Sequence, residues 1–395
     1  MPHFSIYSLG LLLLIASVVA MLSRRLRLPY SVGLVIAGIG LALLPKTVEL
    51  PLTRDLIFNI FLPPLVFEAA LQLKWPAFSR ELPLTLGLAF PGVVIAAACV
   101  AAGMHYTVGW AWPGAALFGV LIAATDPVSV IAAFREMNVA PRLSMIVESE
   151  SLLNDGAAAV GFSLIAAIAA GASMTPLAIA GSLLFTVAGG VICGLAVAGA
   201  VLLLAWRTED HLVEITLTTI AAYGSFLTAE HFHMSGVLAS LTAGLLVGNV
   251  GWMRAISEGG RTHLLAFWEY AAFLANSLVF ILIGSNEARQ PILPMAGAAA
   301  VAVALVLLGR ALAVYPLAAL FARSRTRIDA RYQHVLVWGG LRGALALALA
   351  LALPFNLAER QEILVVSFAV VAFSIFVQGL TMPWLIRRLG LLRAM

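Results

Sequence analysis

Cysteine is nearly missing from this sequence: 395 residues contain two, Cys99 and Cys193. Both lie inside apolar segments, so neither a disulfide framework nor a cysteine-based metal site is expected. Charge is also scarce. Asp, Glu, Lys and Arg make up 11% of the chain, against about a quarter in soluble domains, while 62% of the residues are hydrophobic. Water is therefore not the main solvent of this protein. No G-x-x-x-x-G-K-[ST] loop occurs, which argues against a nucleotide partner and against direct ATP drive. The Ser and His residues form no recognisable hydrolase arrangement, so an enzyme is not expected either. A net charge of +4 points only weakly to nucleic acid, because membrane topology accounts for the basic residues.

What fills the chain instead is a succession of apolar runs of about 20 residues, the length that crosses a hydrocarbon core about 30 Å thick. Thirteen spans are predicted, at residues 4–22, 30–45, 55–73, 82–104, 113–134, 144–171, 178–206, 212–230, 234–250, 263–285, 294–321, 331–353 and 363–386. The expected fold is an all-α integral membrane protein with short connections. The first run, Phe4–Leu22, has no basic residue before it and Arg24, Arg25 and Arg27 after it. That polarity reads as a retained helix rather than a signal peptide. Only about nine residues follow the last span, so no regulatory tail is expected.

The basic residues test this topology. With alternate loops assigned to the cytoplasm, seventeen fall inside: Arg24, Arg25, Arg27, Lys74, Arg80, Arg135, Arg142, Arg207, Arg254, Arg261, Arg323, Arg325, Arg327, Arg331, Arg387, Arg388 and Arg393. Lys46, Arg54, Arg289 and Arg360 fall outside, and Arg310 and Arg342 remain within spans. The imbalance predicts the N-terminus outside and the C-terminus in the cytoplasm.

A charge at bilayer depth costs at least a few kcal/mol, so an ionisable residue inside a span marks a functional site until another role is found. In V-E-S-E-S-L-L-N-D-G (Val147–Gly156), Asp155 lies about 11 residues into its span, about 16 Å deep at 1.5 Å per residue. Ser151 and Glu148 precede it by four and seven residues, so the three share one helix face; Glu150 and Asn154 form the neighbouring stripe. Carboxylate, hydroxyl and amide oxygens are the hard ligands that an alkali cation prefers. Ser151 also fits a simpler role as an interhelical hydrogen-bonding group.

Two spans look interrupted. In L-I-A-A-T-D-P-V-S-V (Leu121–Val130), Pro127 removes a donor and disfavours helix at the residue before it, which predicts a break at Thr125–Asp126. In W-G-G-L-R-G-A-L (Trp338–Leu345), three glycines and Arg342 interrupt the twelfth span. The fifth and twelfth spans run in opposite directions, as an inverted repeat requires, and transporters use such broken helices to bind ions. If the breaks cross, Asp126 offsets the positive half-helix ends and Arg342 the negative ones; Arg342 also fits an interfacial helix end. Glu68, in F-L-P-P-L-V-F-E-A-A-L (Phe61–Leu71), either lines the ion path or restrains the core as a partner of Asn154. Arg310, deep in the eleventh span, needs an anion. Glu150 is the expected partner, since pairing with Asp155 would compete with ion binding. His105, His231 and His233 read as loop histidines.

At these motifs the chain resembles the monovalent cation/proton antiporter family, which includes bacterial and archaeal sodium/proton antiporters and animal sodium/hydrogen exchangers. The resemblance covers most of the chain. It rests on F-L-P-P-L-V-F-E-A-A near residue 61, A-T-D-P-V near 124, E-S-L-L-N-D-G at 150, S-G-V-L-A-S-L-T-A-G-L-L-V-G-N at 235, N-S-L-V-F-I-L-I-G at 276 and G-G-L-R-G-A-L at 339. It implies that Asp155 is the cation- and proton-binding aspartate and that Asn154 marks the exchanger branch, whose transport is electroneutral. By the same likeness Asp126 and Thr125 are broken-helix ligands, Ser151 is the helix hydroxyl ligand and Glu68 borders the site. Glu150 with Arg310 is the buried structural pair. The family fold implies an ion-binding core, at about 82–171 and 294–386, and a dimerisation scaffold, at about 1–73 and 178–250, joined by a linking helix at 263–285. The partners so implied are the lipid bilayer and a second copy of the chain. No cofactor is implied, only the transported ions: Na+, with Li+ and K+ as alternatives, and H+.

The expected activity is exchange of a monovalent cation for protons across the plasma membrane by alternating access. A sodium-coupled symporter of an organic solute is the alternative, since it too uses broken helices at inverted repeats. A receptor or scaffold gives no reason for acids at two midplane positions.

Overall fold

In the computed structural model, residues 6–26, 28–43, 52–172, 175–206, 208–251 and 256–392 are described. Among the described residues the backbone is helical throughout apart from connections and one isolated antiparallel bridge, Val139 to Leu392. Seven helical stretches are long and apolar enough to cross a membrane unaided, among them Trp75–Val108, Pro141–Ala169 and Arg360–Arg388. Shorter apolar helices account for the spans predicted near the N-terminus, at 55–73 and at 234–250. The two spans expected to be interrupted are each a pair of short helices. Trp112–Leu121 is followed by Val128–Met137, and Ala330–Trp338 by Ala344–Leu351. Each of the thirteen predicted spans thus coincides with a helix or a broken helix. Of the basic residues used to orient the chain, Arg27, Lys46, Arg207, Arg254 and Arg393 lie outside the described residues.

The helices fall into two compact units. The first comprises residues 1–57, 83–158 and 277–395, the second 58–82 and 159–276. In each, small residues let backbones approach closely, the device available where lipid offers no hydrophobic drive for helix association. In the first unit a Cβ on Gly38 would collide with the backbone of Ile281 and Ser285, and one on Gly284 with that of Val35. In the second, Gly244 and Gly248 sit against the backbone of Phe67 and Leu71 in the same way. Elsewhere the first unit packs Leu84, Phe134, Leu143, Ile146, Leu336 and Ile386 into a buried cluster. The second centres on Phe67 and Trp268, whose rings lie 4.5 Å apart.

Candidate ion-binding site

The first interruption starts earlier than proline alone predicts. Helix geometry ends at Leu121, and residues 122–127 run free before Val128 restarts it. Pro127 has no N–H to give to the carbonyl four residues back, at Ala123, so the whole preceding turn loses support. The second interruption occupies 339–343, where the glycines predict it.

A polar chain break is tolerable in a buried setting only if its backbone groups find partners. Nearly all the partners come from the predicted residues. Asn154, on the helix Pro141–Ala169, accepts the Thr125 backbone N–H through Oδ1 at 3.1 Å and donates from Nδ2 to Thr125 Oγ1 at 2.9 Å. Ser151 Oγ donates to the Thr125 carbonyl at 2.5 Å, and Thr125 Oγ1 donates back to Ser151 Oγ at 3.3 Å. Asp126 Oδ1 accepts from the Val128 N–H at 3.0 Å, satisfying the first N–H of the second half-helix. The two breaks also touch each other: the Asp126 N–H donates to the Leu341 carbonyl at 2.7 Å. Gly343 lies so close to Asp126 that a Cβ there would fall on its carboxylate.

The carbonyls released by the second break are satisfied in turn. Arg310 Nε donates to Leu336 O at 3.1 Å, and Arg342 Nη1 to Gly340 O at 2.5 Å. Arg310 also grips Glu150 with two parallel bonds, Nη1 to Oε1 at 2.7 Å and Nη2 to Oε2 at 2.8 Å, the bidentate geometry that suits a buried guanidinium. Asn154 Nδ2 touches the same Glu150 carboxylate at 3.3 Å. Arg310 and Glu150 are both almost fully buried.

Asp155 is held less fully. Its Oδ1 is buried and has no hydrogen-bond partner among the described residues, while the Thr125 backbone, Asp126, Glu150 and Arg342 are near enough to interact with the carboxylate. A small cleft at the crossing is lined by Thr125, Pro127, Glu150, Ser151, Arg310 and Gly339, among others, and Asp155 is not part of its lining. The structure therefore gathers Thr125, Asp126, Glu150, Ser151, Asn154, Asp155, Arg310 and Arg342 at one crossing. Glu68 lies in the second compact unit, where Gln72 donates to its carboxylate. His231 and His233 are exposed, His233 with a left-handed backbone, and the His105 ring is hydrogen bonded to Trp110 O at 2.7 Å.

Two features of the crossing are not evident from the sequence reading. Gln378, on the last span, donates from Nε2 to Trp338 O at 2.9 Å. Ser129, just past Pro127, shares a short hydrogen bond with Ser31. A signal existed for the first, a lone amide in an apolar helix, but only tertiary contact gives it an address.

A family model described as sodium/hydrogen exchanger, transmembrane, matches residues 11–388. The chain is 40% identical over 371 residues to a Na+/H+ antiporter of Aphanothece halophytica, covering 93% of this chain and 70% of that one. It is 34% identical to a Na+/H+ antiporter of Halobacillus aidingensis, covering 96% and 97%. Its fold matches the structure of a sodium proton antiporter from Methanocaldococcus jannaschii with a TM-score of 0.77 at 19% identity, over 98% of both chains.

Proposed function

The chain belongs to the sodium/hydrogen exchanger family, and we propose that it exchanges Na+ for H+ at Asp155 by alternating access. The observation that carries this reading is the buried Asp155 Oδ1, without a hydrogen-bond partner among the described residues, next in sequence to the Asn154 that with Ser151 holds the broken backbone at Thr125. Carboxylate, hydroxyl and carbonyl oxygens suit a hard cation, and a carboxylate that binds the cation binds a proton with the same lone pairs. In our reading Asp155 is the exchanged ligand, Asp126, Thr125 and Ser151 supply further oxygens, and Asn154 fixes the Thr125 backbone. Glu68 stays a candidate on its sequence position alone. Glu150 with Arg310 is structural, and Arg342 and Asp126 balance the half-helix ends.

Exchange follows from cost. Moving an uncompensated carboxylate through a low-dielectric barrier is expensive, whereas the cation-loaded or protonated carboxylate is neutral. Only loaded forms reorient, so each ion crosses in return for the other. One carboxylate carrying one charge of either kind gives one-for-one, electroneutral exchange. We further assign residues 82–171 and 294–386 to the moving core and 1–73 with 178–250 to a scaffold that pairs two copies of the chain. The plasma membrane, with the N-terminus outside, fits the distribution of arginines.

The test is flux in proteoliposomes with the potential clamped by K+ and valinomycin. External Na+ should alkalinise the lumen at a rate independent of the clamped potential, with Li+ and K+ run alongside to rank selectivity. Sodium uptake that requires an organic solute, without proton movement, would favour a symporter instead, a reading the relatives do not support.

A further inference from the structure

We propose that Gln378 is a positioning residue for ion binding: its amide holds the carbonyl that the second break leaves open and so fixes the segment on which Asp126 rests. The inference builds on the exchanger reading above. In an unbroken helix the Trp338 carbonyl would accept the N–H of residue 342. The chain leaves helical geometry at Gly339, and that bond does not form. Gln378, 2% exposed, supplies the replacement at 2.9 Å.

The last span is shaped to deliver it. Residues Ser374–Gly379 form a wide π-type turn between the helices Arg360–Phe373 and Leu380–Arg388. Such turns alter the angular register of the side chains beyond them and concentrate at functional sites. One turn further on, Thr381 Oγ1 accepts the Trp338 indole N–H at 2.9 Å, so the same residue is held by backbone and by ring. The span lies against the break at Gly379, where an added Cβ would make ordinary van der Waals contact with Leu341 Cδ2 at 3.7 Å. Leu341 in turn offers its carbonyl to the Asp126 N–H at 2.7 Å. From Gln378 to Asp126 the contacts are thus continuous: amide to Trp338, a tight turn in which the Leu341 N–H donates to the Gly339 carbonyl at 2.8 Å, and a hydrogen bond from Asp126 to the Leu341 carbonyl. Arg310 and Arg342 hold the carbonyls on either side, at Leu336 and Gly340. Without Gln378 the part-buried Trp338 carbonyl loses this donor, a state that favours local rearrangement.

The experiment compares Na+ dependence of exchange in proteoliposomes for the wild type and for Gln378→Met, Gln378→Leu, Thr381→Val and Asp155→Asn. Methionine keeps the length of the side chain and lacks the donor; leucine is a second apolar side chain without a donor, so either variant that folds decides the question. Thr381→Val releases the indole but leaves the amide–carbonyl bond. Both Gln378 variants should raise the apparent KM for Na+ about fivefold or more with Vmax within about twofold, while Thr381→Val keeps KM within about twofold. A wild-type KM in the Gln378 variants beside an inactive Asp155→Asn would overturn the inference. So would an equal loss of Vmax alone in the Gln378 and Thr381 variants, which marks a merely structural contact. An active Asp155→Asn would instead remove the reading of the site, and the inference with it.

Discussion

Asn154 holds Thr125 at two points, taking its backbone N–H at 3.1 Å and giving a hydrogen bond to its hydroxyl at 2.9 Å. The neighbour of Asp155 in sequence is therefore what fixes the non-helical backbone opposite Asp155. In Asn154→Ala the buried Thr125 N–H loses its acceptor, a loss of about 1–3 kcal/mol. We expect the apparent KM for Na+ to rise about tenfold with the protein still folded, read from flux against Na+ concentration. An unchanged KM would show that the clamp does not shape the site.

Glu150 and Arg310 form a different kind of contact. Each is almost fully buried, and their bidentate bond pairs the two charges directly. Removing one partner strands the other, at a cost of about 3–5 kcal/mol. Glu150→Ala and Arg310→Met should each lower the melting temperature markedly in detergent. The double variant Glu150→Met/Arg310→Met should recover much of that loss; additive losses would contradict the pair.

Gly343 tests the closeness of the two breaks. An alanine there puts a methyl group on the Asp126 carboxylate, and overpacking of this kind costs about 1–3 kcal/mol. Asp126 must move, and exchange should fall more than tenfold or so. Gly297→Ala is the control, since nothing lies within 4 Å of its added carbon.

The pH dependence follows from competition. A proton on Asp155 excludes the cation, and a bound cation excludes the proton, by equal factors. Acidifying the side from which Na+ binds should therefore raise its apparent KM, approaching about tenfold per pH unit where the protonated form dominates, and leave Vmax at saturating Na+ unchanged. A KM flat with pH while Vmax falls would mean that the two ions use different groups.

Much of this architecture is legible in sequence because lipid makes its rules strict. Apolar length marks each span, and Pro127 and the glycines at 339, 340 and 343 mark the breaks. Arg310 calls for a buried acid, which the sequence locates at Glu150, and the two side chains meet at 2.7 Å. The periodicity argument puts Ser151 and Asp155 on one face, but it cannot tell that Ser151 and Asn154 both hydrogen bond to Thr125. Nor can it join Gln378 to Trp338, 40 residues apart. Such pairings depend on how helices cross, and an apolar helix face says nothing about which neighbour it meets. The start of the first break at residue 122 was hidden for a similar reason: proline's effect reaches a full turn back only when no tertiary contact repairs it.

Asp155→Asn is the most direct test of the whole account. The substitution keeps the shape of the side chain and removes the charge for which cation and proton compete. Reconstituted into proteoliposomes beside the wild type, at matched protein density and with the potential clamped, the variant should show no Na+-driven alkalinisation of the lumen and no Na+-dependent Na+ exchange. Full proton-coupled exchange by folded Asp155→Asn would contradict the account.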